Sequence, residues 1–407
     1  MANTDEIISE GLLVKTHLSN RVQRIKPSAT LAITARAKEL KAAGKDIIGL
    51  GAGEPDFDTP DHIKSAAIEA INRGFTKYTA VDGTPELKQA IINKFKRENS
   101  LSYTGDQILV SCGGKHSFYN LVEALIRPGD EVIIPAPYWV SYPDIVLLAN
   151  GEPVIIKTGL EQGFKITPEQ LEASITPNTR LLVLNSPSNP TGAMYTAHEL
   201  QALGEIIARH PNMLVVSDDI YEHILLTEQP FVNILNVCPQ LYDRCVVLNG
   251  VSKAYSMTGW RIGYVGGPDW LVKAMKKIQS QSTSNPTSIS QVAAQVALDG
   301  DQSFIKTMVQ AFRQRHQFIV SALNQIKGIS CLASHGAFYS FPDCSEAIQL
   351  LSGIKDDVEF AEYLISEIGV AVVPGSAFGA PGYMRLSFAT SMENLQEALN
   401  RLQKLLG

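Results

Sequence analysis

Asn-Gly-Val-Ser-Lys-Ala-Tyr-Ser-Met-Thr-Gly-Trp-Arg-Ile-Gly-Tyr, residues 249–264, follows a short apolar run and sets Lys253 and Arg261 among glycines and small side chains. A β-branched run that breaks into such a turn reads as a strand leaving a sheet. The residues beyond it then lie at the carboxyl edge, where open α/β sheets collect ligands. Lys253, between Gly250, Ser252 and Ala254, can bring its amine against a bulky planar partner. Arg261 can lay a planar fork of donors on a phosphate. A Schiff-base lysine with a phosphate anchor meets the needs of pyridoxal 5′-phosphate (PLP). A solvated loop lysine beside a structural arginine is the competing reading of these two residues alone.

Outward from this stretch, short β-branched runs alternate with helix-length amphipathic segments, the pattern of a mainly parallel sheet covered by helices on both faces. The spacing predicts strands at 107–111, 131–135, 180–185, 213–217, 245–249 and 261–266, with helices at 117–126, 196–209 and 270–279. From about residue 301 the rhythm changes. A long helix is expected at 302–325, strands at 336–341, 370–373 and 383–388, and a terminal helix from 393, together a smaller α/β domain.

The unusual residues fall at the ends of these strands. Cys112 to Ser117 reads Cys-Gly-Gly-Lys-His-Ser, a glycine turn into a helix whose N-terminal N–H groups suit a phosphate; a plain tight turn explains the same glycines. A nucleotide P-loop would need glycine at position 109, which is Leu109. Trp139, in Tyr-Trp-Val-Ser-Tyr-Pro, either stacks on a ring or packs the core. Asn189 sits in the proline-fixed turn Asn-Ser-Pro-Ser-Asn-Pro-Thr-Gly. Asp218 and Asp219 end an apolar strand, where a carboxylate is costly unless a cation meets it, and strand alternation lets one of them face a ligand. A protonated pyridine nitrogen is such a cation.

Composition narrows the classes. The 407 residues, 45% hydrophobic and 19% charged, suffice for two domains of a globular enzyme. The net charge of −6 has no basic stripe behind it, which argues against nucleic acid. Five cysteines without a C-x-x-C pair indicate a reduced compartment and no zinc site. With neither a secretory signal nor a spanning apolar stretch, a cytoplasmic protein without membrane association is expected. A dinucleotide-binding dehydrogenase fails because Gly51-Ala-Gly53-Glu-Pro-Asp56 lacks the third glycine of the fingerprint.

Ordered along the chain are Lys-Pro-Ser-Ala-Thr (26–30), Gly-Glu-Pro-Asp-Phe-Asp-Thr-Pro (53–60), Lys77-Tyr78, the Gly-Gly-Lys turn, Pro-Tyr-Trp, Asn-Pro-Thr-Gly, Ser-Asp-Asp-Ile-Tyr, the lysine stretch and Arg-Leu-Ser-Phe (385–388). In this order they resemble the fold-type I, class I PLP-dependent aminotransferases, and within them the bacterial aspartate aminotransferases outside the enteric type. The resemblance implies a 1–17 N-terminal extension, an 18–60 arm that joins part of the small domain, a 61–300 large PLP-binding domain and a 301–407 small C-terminal domain.

It also implies roles. Lys253 would carry PLP and then shuttle the proton; Asp218, three residues before Tyr221 as in the family, would hold the pyridine nitrogen protonated. Asn189 and Tyr221 would bind the ring oxygen, and Trp139 would stack on the ring. Gly114, Lys115, Arg261 and Tyr78 would hold the phosphate, Tyr78 from the neighbouring subunit of a homodimer with shared active sites. Gly250 stands where some relatives have a phosphate-binding serine, and Ser252 is the substitute. Arg385, with Gly53, would clamp the substrate α-carboxylate, and Lys115, Ser28 and Thr30 its distal carboxylate. The implied reaction transfers the amino group of L-aspartate to 2-oxoglutarate. Other specificities (prephenate, with Lys26 assisting, alanine or aromatic amino acids) and a PLP-dependent lyase remain as alternatives on the same fold.

Overall fold

A computed structural model describes residues 18–27 and 29–407; the extension at 1–17 and Ser28 lie outside the described residues. In chain order the first eight strands are β1 (Ile48–Gly49), β2 (Ile108–Ser111), β3 (Glu131–Ala136), β4 (Glu152–Lys157), β5 (Thr179–Asn185), β6 (Leu214–Asp218), β7 (Cys245–Gly250) and β8 (Gly263–Gly266). Seven of them form the central sheet, in the order β2-β8-β7-β6-β5-β3-β4. Its pairings are parallel except for those of β8, which runs against both β7 and β2. That reversal matters for the site. The start of β8 lies at the carboxyl edge of its neighbours, so Arg261, just before β8, arrives beside Lys253, just after β7.

Both faces of the sheet are buried, as the continuous apolar runs require. Val132, Ile134, Val216 and Leu248 pack into one core with Phe118 and Tyr142, while Ile133, Val215 and Val247 pack into the other with Phe95 and Tyr264. A third core gathers β9 (Tyr339–Ser340), β10 (Val370–Ala371) and β12 (Met384–Ser387) with the helices Ser303–Leu323 and Met392–Leu406, while Val373 of β11 (Val373–Pro374) packs with Phe341 and Phe378. Met308, Phe312, Ile319 and Leu323 recur at helical spacing and face this core. β1 joins it by pairing with β10, and β9, β12 and β11 form an antiparallel sheet.

The expected strands and helices are present, the strands expected at 261–266 and 336–341 shortened to β8 and β9. β1 and helices such as Asp61–Asn72, Pro85–Asn99 and Ser288–Asp299 are added to them, and three further differences are instructive. β4 was not expected; Pro153 near its start argues against a strand, but β4 lies at the sheet edge, where a missing N–H is tolerated. The helix expected from 117 is Gly114–Leu125, so Lys115 sits in its first turn. The strand expected at 370–373 divides at Val372, because its two halves pair with different partners.

Behind the edge of β6 and β7, Lys94 is fully buried and ion-paired with Glu222. Glu222 also accepts from Asn249 Nδ2 at 2.6 Å and from Asn99 Nδ2 at 2.5 Å. Burial would raise the Glu222 carboxyl, but Lys94 and His223 outweigh it and hold it below the usual carboxylate range. Removing one partner of such a pair leaves an uncompensated charge. We expect Lys94→Ala to lower the unfolding free energy in urea titrations by about 3–5 kcal/mol, and Lys94→Ala combined with Glu222→Gln to recover part of that loss.

Candidate active site

A cavity of about 410 Å³ opens at the carboxyl edge of the central sheet. It is lined by Lys253, Asp218, Tyr221, Asn189, Trp139, Arg261, Gly114, Lys115, Ser252, Gly53, Thr30 and Arg385, together with Tyr142, Asn185, Thr258, Glu54 and Tyr339. Of the residues expected in the site, Tyr78 is not brought there; it is 92% exposed. Ser28 lies outside the described residues.

Lys253 donates from Nζ to Gly53 O at 2.6 Å, its one hydrogen bond among the described residues. Burial, with Arg385 and Arg261 nearby, lowers its amine to about 8. The two neighbouring aspartates have opposite destinations. On β6, Leu214 and Val216 share the face that carries Asp218, and Val215 the face toward Asp219. Asp218 accepts from Tyr142 Oη at 2.5 Å and Ile220 N at 3.3 Å at the cavity wall. Asp219 is wholly buried and bonded to Ser217 and Asn233, away from the cavity. Burial raises the Asp218 carboxyl to about 6 despite the Tyr142 hydrogen bond. A cation set beside it would reverse that shift.

The phosphate turn is built by close backbone contact. Gly113 has φ +89°, and a Cβ there would meet the Arg261 guanidinium at 2.2 Å. Arg261 Nη1 donates to Thr258 O at 2.8 Å and Nη2 to Cys112 O at 3.3 Å, which fixes the fork over the first N–H groups of the Gly114 helix. A Cβ on Gly250 would lie 3.1 Å from both Gly263 Cα and Ile262 O, so a side chain there would press on β8. Ser252 is buried at the cavity wall.

Arg385, on β12, is 2% exposed. Its Nη1 donates to Asn189 Oδ1 at 3.0 Å and Nη2 to Gly51 O at 2.7 Å, while Nε has no partner among the described residues. The guanidinium lies 4.5 Å from the Tyr339 ring centroid and 5.0 Å from that of Phe378. Tyr221 Oη and Tyr339 Oη are 2.8 Å apart. Lys115 holds its ammonium 5.3 Å over the Trp139 ring, and the buried Thr30 Oγ1 has no partner among the described residues. Sequence reasoning passed over Tyr142, Asn185 and Tyr339. The first two lie inside motifs already quoted, whereas Tyr339 carries no local signal.

These residues fit PLP. Among the described residues neither the buried Asp218 carboxyl nor the Arg261 guanidinium is ion-paired, the first turn of the Gly114 helix lies beside Arg261, and the Lys253 amine of lowered basicity shares their cavity.

The family described as aminotransferase class I and II matches residues 45–402. The aspartate/prephenate aminotransferase of Nitrosomonas europaea is 65% identical over 394 residues, covering 96% of this chain and 99% of its own. That of Cereibacter sphaeroides is 57% identical over 390 residues, with 95% and 98% coverage. Among solved structures, the aspartate aminotransferase of Rhizobium meliloti superposes with a TM-score of 0.92 at 50% identity, covering 95% of this chain and 98% of its own. The Thermus thermophilus aspartate aminotransferase with maleate gives 0.90 at 45%, covering 96% and 99%.

In cofactor-free protein, modification of Lys253 by trinitrobenzenesulfonate should rise with a midpoint near pH 8, the lowered value given by burial and the two arginines. Arg385→Leu should move that midpoint upward. A midpoint at about 10 or above, the ordinary lysine range, would contradict the electrostatics described.

Proposed function

The chain belongs to the class I and II aminotransferases, whose cofactor is PLP, and from that premise we propose that it transaminates L-aspartate with 2-oxoglutarate, giving oxaloacetate and L-glutamate. Prephenate is the second amino acceptor we propose, after the relatives named for both activities. One observation carries the dicarboxylate reading. Besides Lys253 and Arg261, the cavity is lined by two further cationic side chains, Arg385 and Lys115, neither of them ion-paired to a carboxylate among the described residues.

PLP supplies an electron sink that acidifies the Cα–H of a bound amino acid and lets its nitrogen pass to a 2-oxo acid. In this reading Lys253 would hold the cofactor and would be the group that takes the proton from the substrate Cα and returns it. An amine titrating near 8 is still mostly protonated at physiological pH, but its neutral fraction is far larger than that of an ordinary lysine, as a base requires. Asp218, oriented by Tyr142, would keep the ring nitrogen protonated. Asn189 spends Oδ1 on Arg385, which leaves Nδ2 for the ring oxygen that Tyr221 also meets. Trp139 would cover the ring face, and Arg261 with Gly114, Lys115 and Ser252 would hold the phosphate. Arg385 takes the α-carboxylate, aided by the Gly53 backbone, and Lys115 and Thr30 take the distal one. Lys26 is exposed outside the cavity lining and is given no role.

Steady-state kinetics with aspartate, glutamate, alanine, phenylalanine and prephenate should favour the dicarboxylates. A charge-assisted contact contributes about 1.5–3 kcal/mol, so Lys115→Ala should cut aspartate discrimination over alanine by about ten- to a hundredfold. Alanine or phenylalanine exceeding aspartate in kcat/KM would overturn the substrate assignment and leave the aminotransferase chemistry intact.

We further propose a homodimer with shared sites. Ile68 and Ile71, on the helix Asp61–Asn72, are 58% and 50% exposed, and Phe75 and Tyr78 extend this apolar surface. Such a strip suits burial against a second copy that receives Tyr78 at its phosphate. Mixing Lys253→Ala with Tyr78→Ala protein should restore activity, since half the sites in a hybrid dimer carry neither lesion; a fully active monomer in sedimentation would exclude sharing. The separate cores support a large domain at 61–300 and a smaller one from 18–60 with 301–407. Among the described residues no helix is long and apolar enough to cross a membrane, and we place the enzyme in the cytoplasm.

A further inference from the structure

We propose that Tyr339 is a positioning residue that passes the occupancy of Arg385 to Tyr221, so that binding of a substrate carboxylate tunes the hydrogen bond Tyr221 makes to the cofactor. The inference rests on the reading of Tyr221 as a donor to the cofactor ring oxygen.

Tyr339 belongs to β9 and Arg385 to β12, strands paired through Ser387 opposite Tyr339 and Leu386 opposite Ser340. Tyr221 follows β6 of the central sheet. The Tyr339 side chain therefore spans two sheets. Its hydroxyl lies 2.8 Å from Tyr221 Oη, its ring is fully buried, and the Arg385 guanidinium rests 4.5 Å from its centroid. Its backbone is held by Ser334 Oγ, which donates to Tyr339 O at 2.8 Å. The charged and titratable groups facing the tyrosine pair are Arg385, Asp218, Glu54 and Lys253.

The direction of the hydrogen bond follows by elimination. A hydroxyl has one proton. If Tyr221 donates its proton to the ring oxygen, its own oxygen must accept the proton of Tyr339. A donor that itself accepts a hydrogen bond is a stronger donor. An anion on Arg385 offsets the positive charge against the Tyr339 ring, makes the Tyr339 hydroxyl a weaker acid and so weakens this support. Substrate binding then raises the proton affinity of the lysine-bound chromophore through Tyr339, in addition to any direct effect.

The test is the absorbance titration of the holoenzyme, with and without maleate as a non-reacting dicarboxylate, for wild type, Tyr339→Phe and Tyr221→Phe. Tyr339→Phe should raise the chromophore pKa of the maleate-free enzyme by about half a unit, the size of one modest hydrogen bond, and should reduce the upward shift that maleate causes. Near-ultraviolet circular dichroism checks that the variants stay folded. A Tyr339→Phe enzyme with wild-type pKa and wild-type maleate shift, while Tyr221→Phe moves the pKa, would overturn the relay alone. If Tyr221→Phe leaves the pKa unmoved, the assignment of Tyr221 falls and the relay with it.

Discussion

Two backbones touch at the centre of the molecule, and the site depends on that contact. A Cβ on Gly263 would lie 2.3 Å from Gly114 N and 2.4 Å from Gly113 C. No side chain fits there. The consequence is that β8 draws against the turn that follows β2, with Ser111 opposite Gly263 and Gly263 opposite Gly250. Arg261, the start of the Gly114 helix and the segment carrying Lys253 are then brought together by the sheet itself. The turn at Gly113 and Gly114 is thus set by backbone packing against the sheet.

Charge arrangement follows from that scaffold. Lys253, Arg261, Arg385 and Lys115 line one cavity, with the Asp218 carboxyl in the same wall. Burial, reinforced by Arg385 and Arg261, lowers the basicity of Lys253, and burial raises the carboxyl of Asp218, so each group carries a perturbation that a phosphorylated pyridine and a carboxylate substrate would lessen. The buried Lys94–Glu222 pair does different work. It lies on the side of Asp219 and anchors the turn that carries Tyr221.

Much of this was legible in the sequence because the residues that carry the chemistry are punctuated by glycine and proline at strand ends. Lys253, Asp218, Asn189, Arg261 and Arg385 could be named from their motifs, and the cavity contains all five. The two-residue period of a strand said that one of Asp218 and Asp219 faces the ligand, and the spacing to Tyr221 that the resemblance supplied chose Asp218. What stayed hidden depends on distant contacts. Tyr339 meets Tyr221 across 118 positions of sequence, and Tyr142 meets Asp218 across 76. No local pattern encodes such a meeting. β4 was obscured by its proline, and the first turn of the Gly114 helix by glycines that read as a loop. Tyr78 shows the limit from the other side, since a residue on an exposed surface declares no partner within its own chain.

β1 and β10 pair in register, Ile48 with Val370 and Gly49 with Ala371, although almost the whole chain lies between them. During synthesis residues 48–49 leave the ribosome long before their partner strand exists. The central sheet, complete by residue 266, has all its strands while this N-terminal piece still waits. Closing a loop of that length carries an entropic cost that grows only slowly with length, but it sets the order of events. The small sheet can be finished only after the last third of the chain has been made, so a truncated or stalled chain leaves Ile48 and Leu50, both buried in the finished protein, without their cover.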